Sequence, residues 1–534
     1  MPRRIPSLLF LKSVATLLAV VAPIPAASAP AQSADKIVGE YLRAMGGAKS
    51  LEQIRTTTLS GTVTEAEGGP IGSYSLILKS PDKFYLEILL GPLHFTEAFD
   101  GRSAWTEDGP AAPHTLTGAA PAVAAASAIF WNSRLARAKK DKIGIRFVGE
   151  ENIAGRNTYH LQLSFLTGVR RDLFFDEQTH LLVREVLNGA AQTAPPSDTP
   201  STTEFDYSDY HLAEGVPTPH AIDIHLGARI LHVAITRVEF NSPAADSAFA
   251  FPTLAGRPLP DIPTLLRDVV KNQDIIENIQ KQYTCRVEET EEKTDSKGQV
   301  TSTTVSNYDV FYIAGEEVRH LVAKNGQPLT GEEKQKEDDR FDKEFDKLRK
   351  KQEELAADPK KQQREQEEDE AQISDFLRAE RFTNPRRERF RGQDVIVFDF
   401  GPNPEYKPHK LAESIVQKLV GVIWVDEQAR DVVRLEAEFS DNAKIAGGLL
   451  ASLSKGSNFV FEQSLVNSEV WLPSYFEVHA SARVLFVHAK ANVIDRYSNY
   501  RKFQVETQIG APIPNGGTTT TPPSSPSPAG PSPK

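Results

Sequence analysis

Two histidines each follow an acid by two residues in matching surroundings: Asp223 and His225 within VPTPHAIDIHLGARI, and Glu477 and His479 within VWLPSYFEVHASARV. A carboxylate that orients an imidazole is the elementary unit of general-base and metal-ligand chemistry, because it fixes the tautomer and raises ring basicity. Strand alternation places each pair opposite the apolar Ile222 and Ile224, or Phe476 and Val478, so both are expected on a solvent side as ordinary acid–histidine contacts. A second repeated acidic element, DEQTHLLVR from Asp176 and DEQARDVVR from Asp426, lies between apolar runs. It reads as a hairpin turn rather than a catalytic carboxylate pair. Cys285 is the only cysteine, so no internal disulfide forms, and it reads as a small buried apolar residue. His-Glu-x-x-His, Gly-x-Ser-x-Gly, a phosphate loop and paired cysteines are all missing. The chain is therefore expected to be no enzyme and to use no cofactor and no metal.

The elements that carry these residues occur twice. IAGRNTYHLQL around Gly155 corresponds to FRGQDVIVFDF around Gly392, the two DEQ turns correspond, and Val216 to Ile230 aligns without a gap to Val470 to Val484. The offset grows from 237 to 254 residues along the three landmarks, and the growth falls where loops lengthen. Three landmarks in one order indicate a tandem duplication. Each copy opens with an amphipathic helix, Ile37 to Met45 before Gly46-Gly47 and Leu265 to Ile279 before Tyr283. Strands with period-two alternation follow, such as KFYLEILL from Lys83 to Leu90. Helical insertions interrupt both: Ala119 to Lys140 in the first copy, and in the second a charged run from Glu332 to Arg381, expected as an exposed helical hairpin broken near Pro359.

The chain has 534 residues, 40% hydrophobic and 25% charged, which suits two globular domains. Residues 1–31 have the basic, apolar and small-residue plan of a signal peptide, with an apolar run too short to span a bilayer. Cleavage there would remove Arg3, Arg4 and Lys12 and no acid, so net charge would move from −11 to −14. Such a chain repels phosphate backbones and anionic headgroups, which argues against nucleic acid as a partner. The expected plan is a first domain over 32–252, a linker over 253–263, a second domain over 264–511 with the insertion 332–381, and a disordered Pro/Ser/Thr-rich tail over 512–534. The fold class is α+β, with helices covering antiparallel sheets.

YLRAMGG followed by LEQIRTTTLSGTV, then FDGRSAWTEDG, LFFDEQTHLLVR and VEFNSPAADSAFAFP resemble the LolA-like superfamily of periplasmic lipoprotein carriers and outer-membrane lipoprotein-sorting proteins. GVIWVDEQARDVVRLEAEF and VWLPSYFEVHASARV carry the resemblance in the second copy, from which the charged insertion departs. The resemblance implies two half-barrel sheets closed by helices, a periplasmic location, and an apolar cavity that binds lipid or lipoprotein acyl chains. On that footing the lining residues are expected to be Phe84, Leu86, Ile88, Phe95, Phe99 and Trp105 in the first copy, and Trp424, Phe459, Phe461 and Phe476 in the second. The alternative is an envelope interaction scaffold with filled cavities that docks a protein partner through the charged insertion.

Overall fold

The computed structural model describes residues 31–65, 69–165, 168–188, 202–252, 257–294, 300–313, 316–358, 373–409, 411–445, 451–484 and 487–502. The expected signal peptide before Ala31 and the tail 512–534 lie outside the described residues, as do 253–256 of the expected linker and 359–372 of the charged insertion. No helix among the described residues is long and apolar enough to cross a membrane.

The protein consists of two antiparallel sheets in tandem, each associated with helices. The first sheet comprises β1 (Thr56–Thr64), β2 (Gly72–Lys79), β3 (Lys83–Leu90), β4 (Leu93–Phe99), β5 (Ala104–Asp108), β6 (His114–Thr115) and β7 (Gly144–Ile153). It continues with β8 (Arg156–Ser164), β9 (Arg170–Asp176), β10 (Leu182–Asn188), β11 (Thr202–Ala213), β12 (Val216–Leu226) and β13 (Arg229–Phe240). Sequential strands are neighbours except where β1 pairs with β13, so the first strand closes onto the last and β6 and β7 become the edges. The second sheet repeats this plan with β14 (Tyr283–Thr294), β15 (Val300–Ile313), β16 (Glu316–Lys324), β17 (Gln327–Pro328), β18 (Glu380–Phe390), β19 (Gln393–Pro402) and β20 (Leu419–Asp426). It ends with β21 (Val432–Phe439), the short β22 (Ala443–Ile445) and β23 (Ala451–Leu453), then β24 (Asn458–Val466), β25 (Val470–Val484) and β26 (Val487–Lys502). Here β14 pairs with β26, and the edges are β17 and β18.

The repeated DEQ stretch is a turn in both sheets. Asp176 Oδ1 accepts the backbone N–H of Gln178 at 2.9 Å and of Thr179 at 2.7 Å, and Asp426 Oδ1 accepts those of Gln428 at 2.8 Å and Ala429 at 2.6 Å. His180 and Arg430 then take the same left-handed conformation, with φ of 57° and 61°. The following strands share a β-bulge: Arg184 faces Phe174 as Arg434 faces Trp424, and each strand leaves one valine, Val183 or Val433, unpaired. Identical side-chain chemistry thus fixes an identical register twice.

In the first domain α1 (Ala31–Ala44) ends at Gly46 and Gly47, whose φ values of 90° and 98° suit a glycine stop, and the short α2 (Ala48–Gln53) follows. Ile37, Tyr41 and Met45 of the first helical segment pack on Leu161, Leu163, Leu173 and Phe175. The insertion forms α3 (Ala120–Ser133), which packs against β2, β3, β4 and β5. In the second domain α4 (Ile262–Gln280) starts at Asp261, whose carboxylate accepts the N–H of Thr264 at 3.0 Å, a little before the sequence placed it.

The charged insertion begins as α5 (Gly331–Ala357) and ends as α6 (Ile373–Ala379), so Glu380 and Arg381 open strand β18 rather than close a hairpin arm. A final short helix, α7, spans Leu411–Val416. Phe341 of α5 meets Phe311 and His320 at centroid distances of 5.7 and 4.6 Å. Both belong to the face opposite Val310 and Arg319, so α5 lies on the outer side of the second sheet whereas α3 lies on the inner side of the first.

The two sheets meet where β6 approaches β18. Thr115 donates its N–H to Glu388 Oε2 at 2.9 Å and its hydroxyl to Glu388 Oε1; Arg386 Nε reaches Thr115 Oγ1 at 2.9 Å, and its Nη1 reaches Asp399 at 3.0 Å. Thr115, Arg386, Glu388 and Asp399 are all buried. Arg257 adds an exposed link to Asp394 at 2.7 Å.

Candidate functional site

Register alone assembles an apolar face on the inner side of the first sheet. Leu78, Phe84 and Phe99 stand in one row across β2, β3 and β4, and Tyr74, Ile88 and Phe95 in another. The row between them is Leu76, Leu86 and Glu97. Because successive strand residues alternate faces, Phe95, Glu97 and Phe99 all point inward. Leu59, Val63, Ile222, Ile224, Leu231, Val233 and Ile235 extend the same apolar cluster across the closing strands. The cover is α3, which contributes Ala124 and Ala128, with Trp131 set edge-on to Phe84 at 5.3 Å.

Five of the six residues singled out in the first domain therefore come together: Phe84, Leu86, Ile88 and Phe99 are buried in this cluster and Phe95 packs against it. Trp105 does not join them. It faces Ala98 and through it Tyr85, which belong to the outer side, and its indole N–H donates to the Phe249 carbonyl at 3.1 Å beneath Phe251. In the second domain Phe459, Phe461 and Phe476 share the inner cluster, whereas Trp424 is inserted in another cluster with Val395, Val397 and Val433. It faces Arg434 across the strand pair, on the opposite side from Ile423 and Leu435.

Two polar features interrupt the inner side of the first domain. Arg171 and Glu185 form a fully buried ion pair whose guanidinium also reaches Ser127 Oγ of α3 at 2.6 Å and lies over the Phe130 ring at 4.9 Å. The Tyr207 hydroxyl donates to Glu185 at 2.9 Å. Burial pushes the Glu185 carboxyl up and the Arg171 guanidinium opposes it, so ionisation depends on the partner. The other feature is Glu97. Among the described residues no donor or cation is placed on its carboxylate, and burial alone raises its pKa to about 7. Glu97 stands midway between Phe95 and Phe99, where strand alternation calls for an apolar residue, and that mismatch is the one signal of it in the sequence.

The inner side of the second domain is different. The position of Arg171 is taken by Gly421 and that of Glu185 by Leu435, by the shared register of the two hairpins. A Cβ on Gly421 would stand 2.8 Å from Phe400 Cζ, so a phenyl ring occupies the space that holds a guanidinium in the first domain. Phe376 crosses Phe400 edge-on at 4.8 Å, and Phe382 and Phe398 continue the aromatic packing. The strands that correspond to β1–β3 carry charge instead: Arg319 contacts Glu289 at 3.1 Å, Glu317 at 2.8 Å and Asp495 at 2.8 Å. Burial, followed by the Asp495 charge, pushes Glu289 up to about 7.

The repeated histidines are surface chemistry. His479 contacts Glu477 at 2.8 Å, and that bond raises its pKa against the opposing effect of burial. His225 pairs instead with Asp206 at 3.2 Å, while Asp223 takes His232 at 2.8 Å, because the cross-strand neighbour is nearer than the residue two along. Glu204, Asp206 and His225 bring one ligand atom each within 4.8 Å, a spacing that could hold a metal ion. Arg184 fills that space, with contacts of 2.5 Å to Asp206 and 2.9 Å to Glu204. Burial pushes the Cys285 thiol up to about 12, so it stays protonated and unreactive.

No family model matches the sequence, and no curated protein matches it. Solved structures do. A LolA superfamily protein from Nitrosomonas europaea is 12% identical with a TM-score of 0.29, over 41% of this chain and 97% of its own. The MucA/MucB complex of Pseudomonas aeruginosa matches across 88% of this chain and 99% of the matched one, at 9% identity and a TM-score of 0.20. The lipoprotein LppX of Mycobacterium tuberculosis is 10% identical over 40% of this chain and 98% of its own, with a TM-score of 0.17. At these values the likeness carries no conclusion about this chain, and function rests on the residues described above.

Proposed function

We propose that the protein is a non-enzymatic carrier or sensor of the cell envelope that holds the acyl chain of a lipid or lipoprotein against the inner face of its first sheet. The observation that carries this reading is the alignment of Phe84, Leu86, Ile88, Phe95 and Phe99 beneath α3, a helix that meets them largely through alanines. Small side chains make a cover of limited contact, so an acyl chain competes for the surface at modest cost. Burial of apolar ligand area supplies about 25 cal/mol per Å². Cys285 is buried and Arg184 occupies the Glu204, Asp206 and His225 cluster, which favours binding over turnover. Trp105 and Trp424 drop out of the proposed lining.

The test is mass spectrometry of protein purified from its native envelope without detergent, comparing native with denatured, solvent-extracted masses. Acyl-bearing species are expected on the wild type and lost from Phe84→Asp and Leu86→Asp variants that retain their circular dichroism. A clean apo mass that persists after incubation with envelope lipids overturns the reading.

The second domain favours a second role. Its inner side is filled by Phe376, Phe382, Phe398 and Phe400, and α5 presents its charged residues on the outer side. We infer that this domain docks a protein partner through α5. Deletion of α5 should abolish partner recovery and leave acyl binding by the first domain intact.

A further inference from the structure

Resting on the acyl-binding reading of the first domain, we propose that Glu97 anchors the ligand's polar end and that this end is a hydrogen-bond donor, an ammonium or a hydroxyl, rather than an anion. Glu97 occupies the centre of the inner face, two residues from Phe95 and from Phe99 and directly across from Leu86 and Thr106. Thr106 cannot serve as its donor partner, because its hydroxyl donates to the Thr96 carbonyl at 2.8 Å. Other acids nearby differ in their surroundings: Asp108, across from Phe95, is exposed at the end of β5, and Glu87, on the outer side, accepts the Tyr85 hydroxyl at 3.1 Å. Glu185 has Arg171, and Asp100 accepts the backbone N–H groups of Arg102 and Ser103.

Glu97 is half-buried, and a carboxylate held without a partner on an apolar surface loses part of its hydration with nothing to replace it. What satisfies it depends on charge. An ammonium or hydroxyl donates into the carboxylate and gains a charge-assisted hydrogen bond in a medium of low polarity. An anionic head would place two like charges side by side, since among the described residues no cation contacts Glu97 and Arg171 on the same side is held by Glu185. Burial raises the Glu97 pKa to about 7, so a donor or cation beside it would favour its charged form.

The experiment uses the full chain and three probes that differ only in the head: lauryl amine, lauryl alcohol and laurate. Binding to wild type, Glu97→Gln, Glu97→Leu and Glu87→Gln is read by displacement of a fluorescent fatty-chain dye. The amine is expected to bind wild type at least about tenfold more tightly than laurate, with the alcohol between them. Glu97→Gln and Glu97→Leu should bring the amine and laurate within about twofold of each other, because the anchoring charge is gone. Glu87→Gln, which removes an equal charge from the outer side, should keep the wild-type order. Laurate binding as well as the amine to wild type, or an order that survives Glu97→Gln, overturns the proposal. If none of the probes binds, or binding ignores Phe84→Asp, the acyl-binding reading fails as well. Binding that needs Phe84 but ignores the head sinks only the role of Glu97.

Discussion

Glu380 offers a direct test of the electrostatic reasoning. It opens β18 on the inner side of the second sheet, two residues before Phe382, and both carboxylate oxygens are buried with no hydrogen-bond partner among the described residues. Burial pushes its pKa from 4.5 to about 8. A carboxyl raised in the folded state binds its proton more tightly there than in the unfolded chain. Its contribution is therefore fully present below about pH 4.5 and is lost as pH rises toward 8, opposite in sign to a salt-bridged carboxylate. Each pH unit in that window costs about 1.4 kcal/mol, so at pH 7 the group should cost about 3 kcal/mol. Glu380→Gln removes the titration. Urea unfolding is followed through Trp424 and Trp471 of the second domain in a Trp105→Phe, Trp131→Phe background. The stability advantage of Glu380→Gln should grow by about 1.4 kcal/mol per pH unit between pH 5 and 8. Other titrating groups cancel in the difference. An advantage that stays constant across that range would refute the claim that Glu380 lacks a partner.

The buried pair of the first domain should show the asymmetry of an uncompensated charge. Arg171→Leu is expected to cost about 3–5 kcal/mol by stranding Glu185, and the double variant Arg171→Leu, Glu185→Leu should recover much of it in urea unfolding read at Trp131. For His479, the Glu477 bond raises the folded pKa, so its contribution is present below the ordinary histidine range and fades as pH rises through the folded value. An NMR titration should show the His479 midpoint fall when Glu477 becomes Gln; an unmoved midpoint would mean that Glu477 does not hold the proton.

Much of the architecture could be read from residue order, and the failures share a cause. Period-two alternation gave β3 at Lys83 to Leu90 and its inward residues, and Asp-Glu-Gln gave both turns, because those are local decisions. Trp105 and Trp424 went wrong because alternation within one strand fixes relative faces only. Which face meets the helices is set by pairing with the neighbouring strand, Ala98 against Trp105 and Arg434 against Trp424. The side of the sheet taken by α5 was equally hidden, since a helix with Phe341, Phe345 and Leu348 on one stripe can pack on either side. Glu97 was visible as an acid at an apolar position, and Arg171 as a basic residue two before Leu173; neither reveals from sequence whether a partner awaits it.

The divergence of the two inner faces leads to a prediction about stoichiometry. An acyl chain laid over β2–β4 meets Leu76, Leu86, Phe84 and Ile88. On the inner side of β14–β16, which correspond to β1–β3, it would meet Glu289, Glu317 and Arg319, with Asp495 beside them. These paired charges offer an acyl chain little apolar area, and hydrocarbon laid on them would remove the water that remains on Arg319 and Glu289. The remaining inner strands of the second domain give no room either, since Phe400 already lies against Gly421. One acyl chain site per protein is therefore expected. Native mass spectrometry at saturating ligand should stop at one bound species, and Phe84→Asp should abolish it. A second equivalent ligand, or one that survives Phe84→Asp and vanishes with Phe461→Asp, would reassign the site to the second domain.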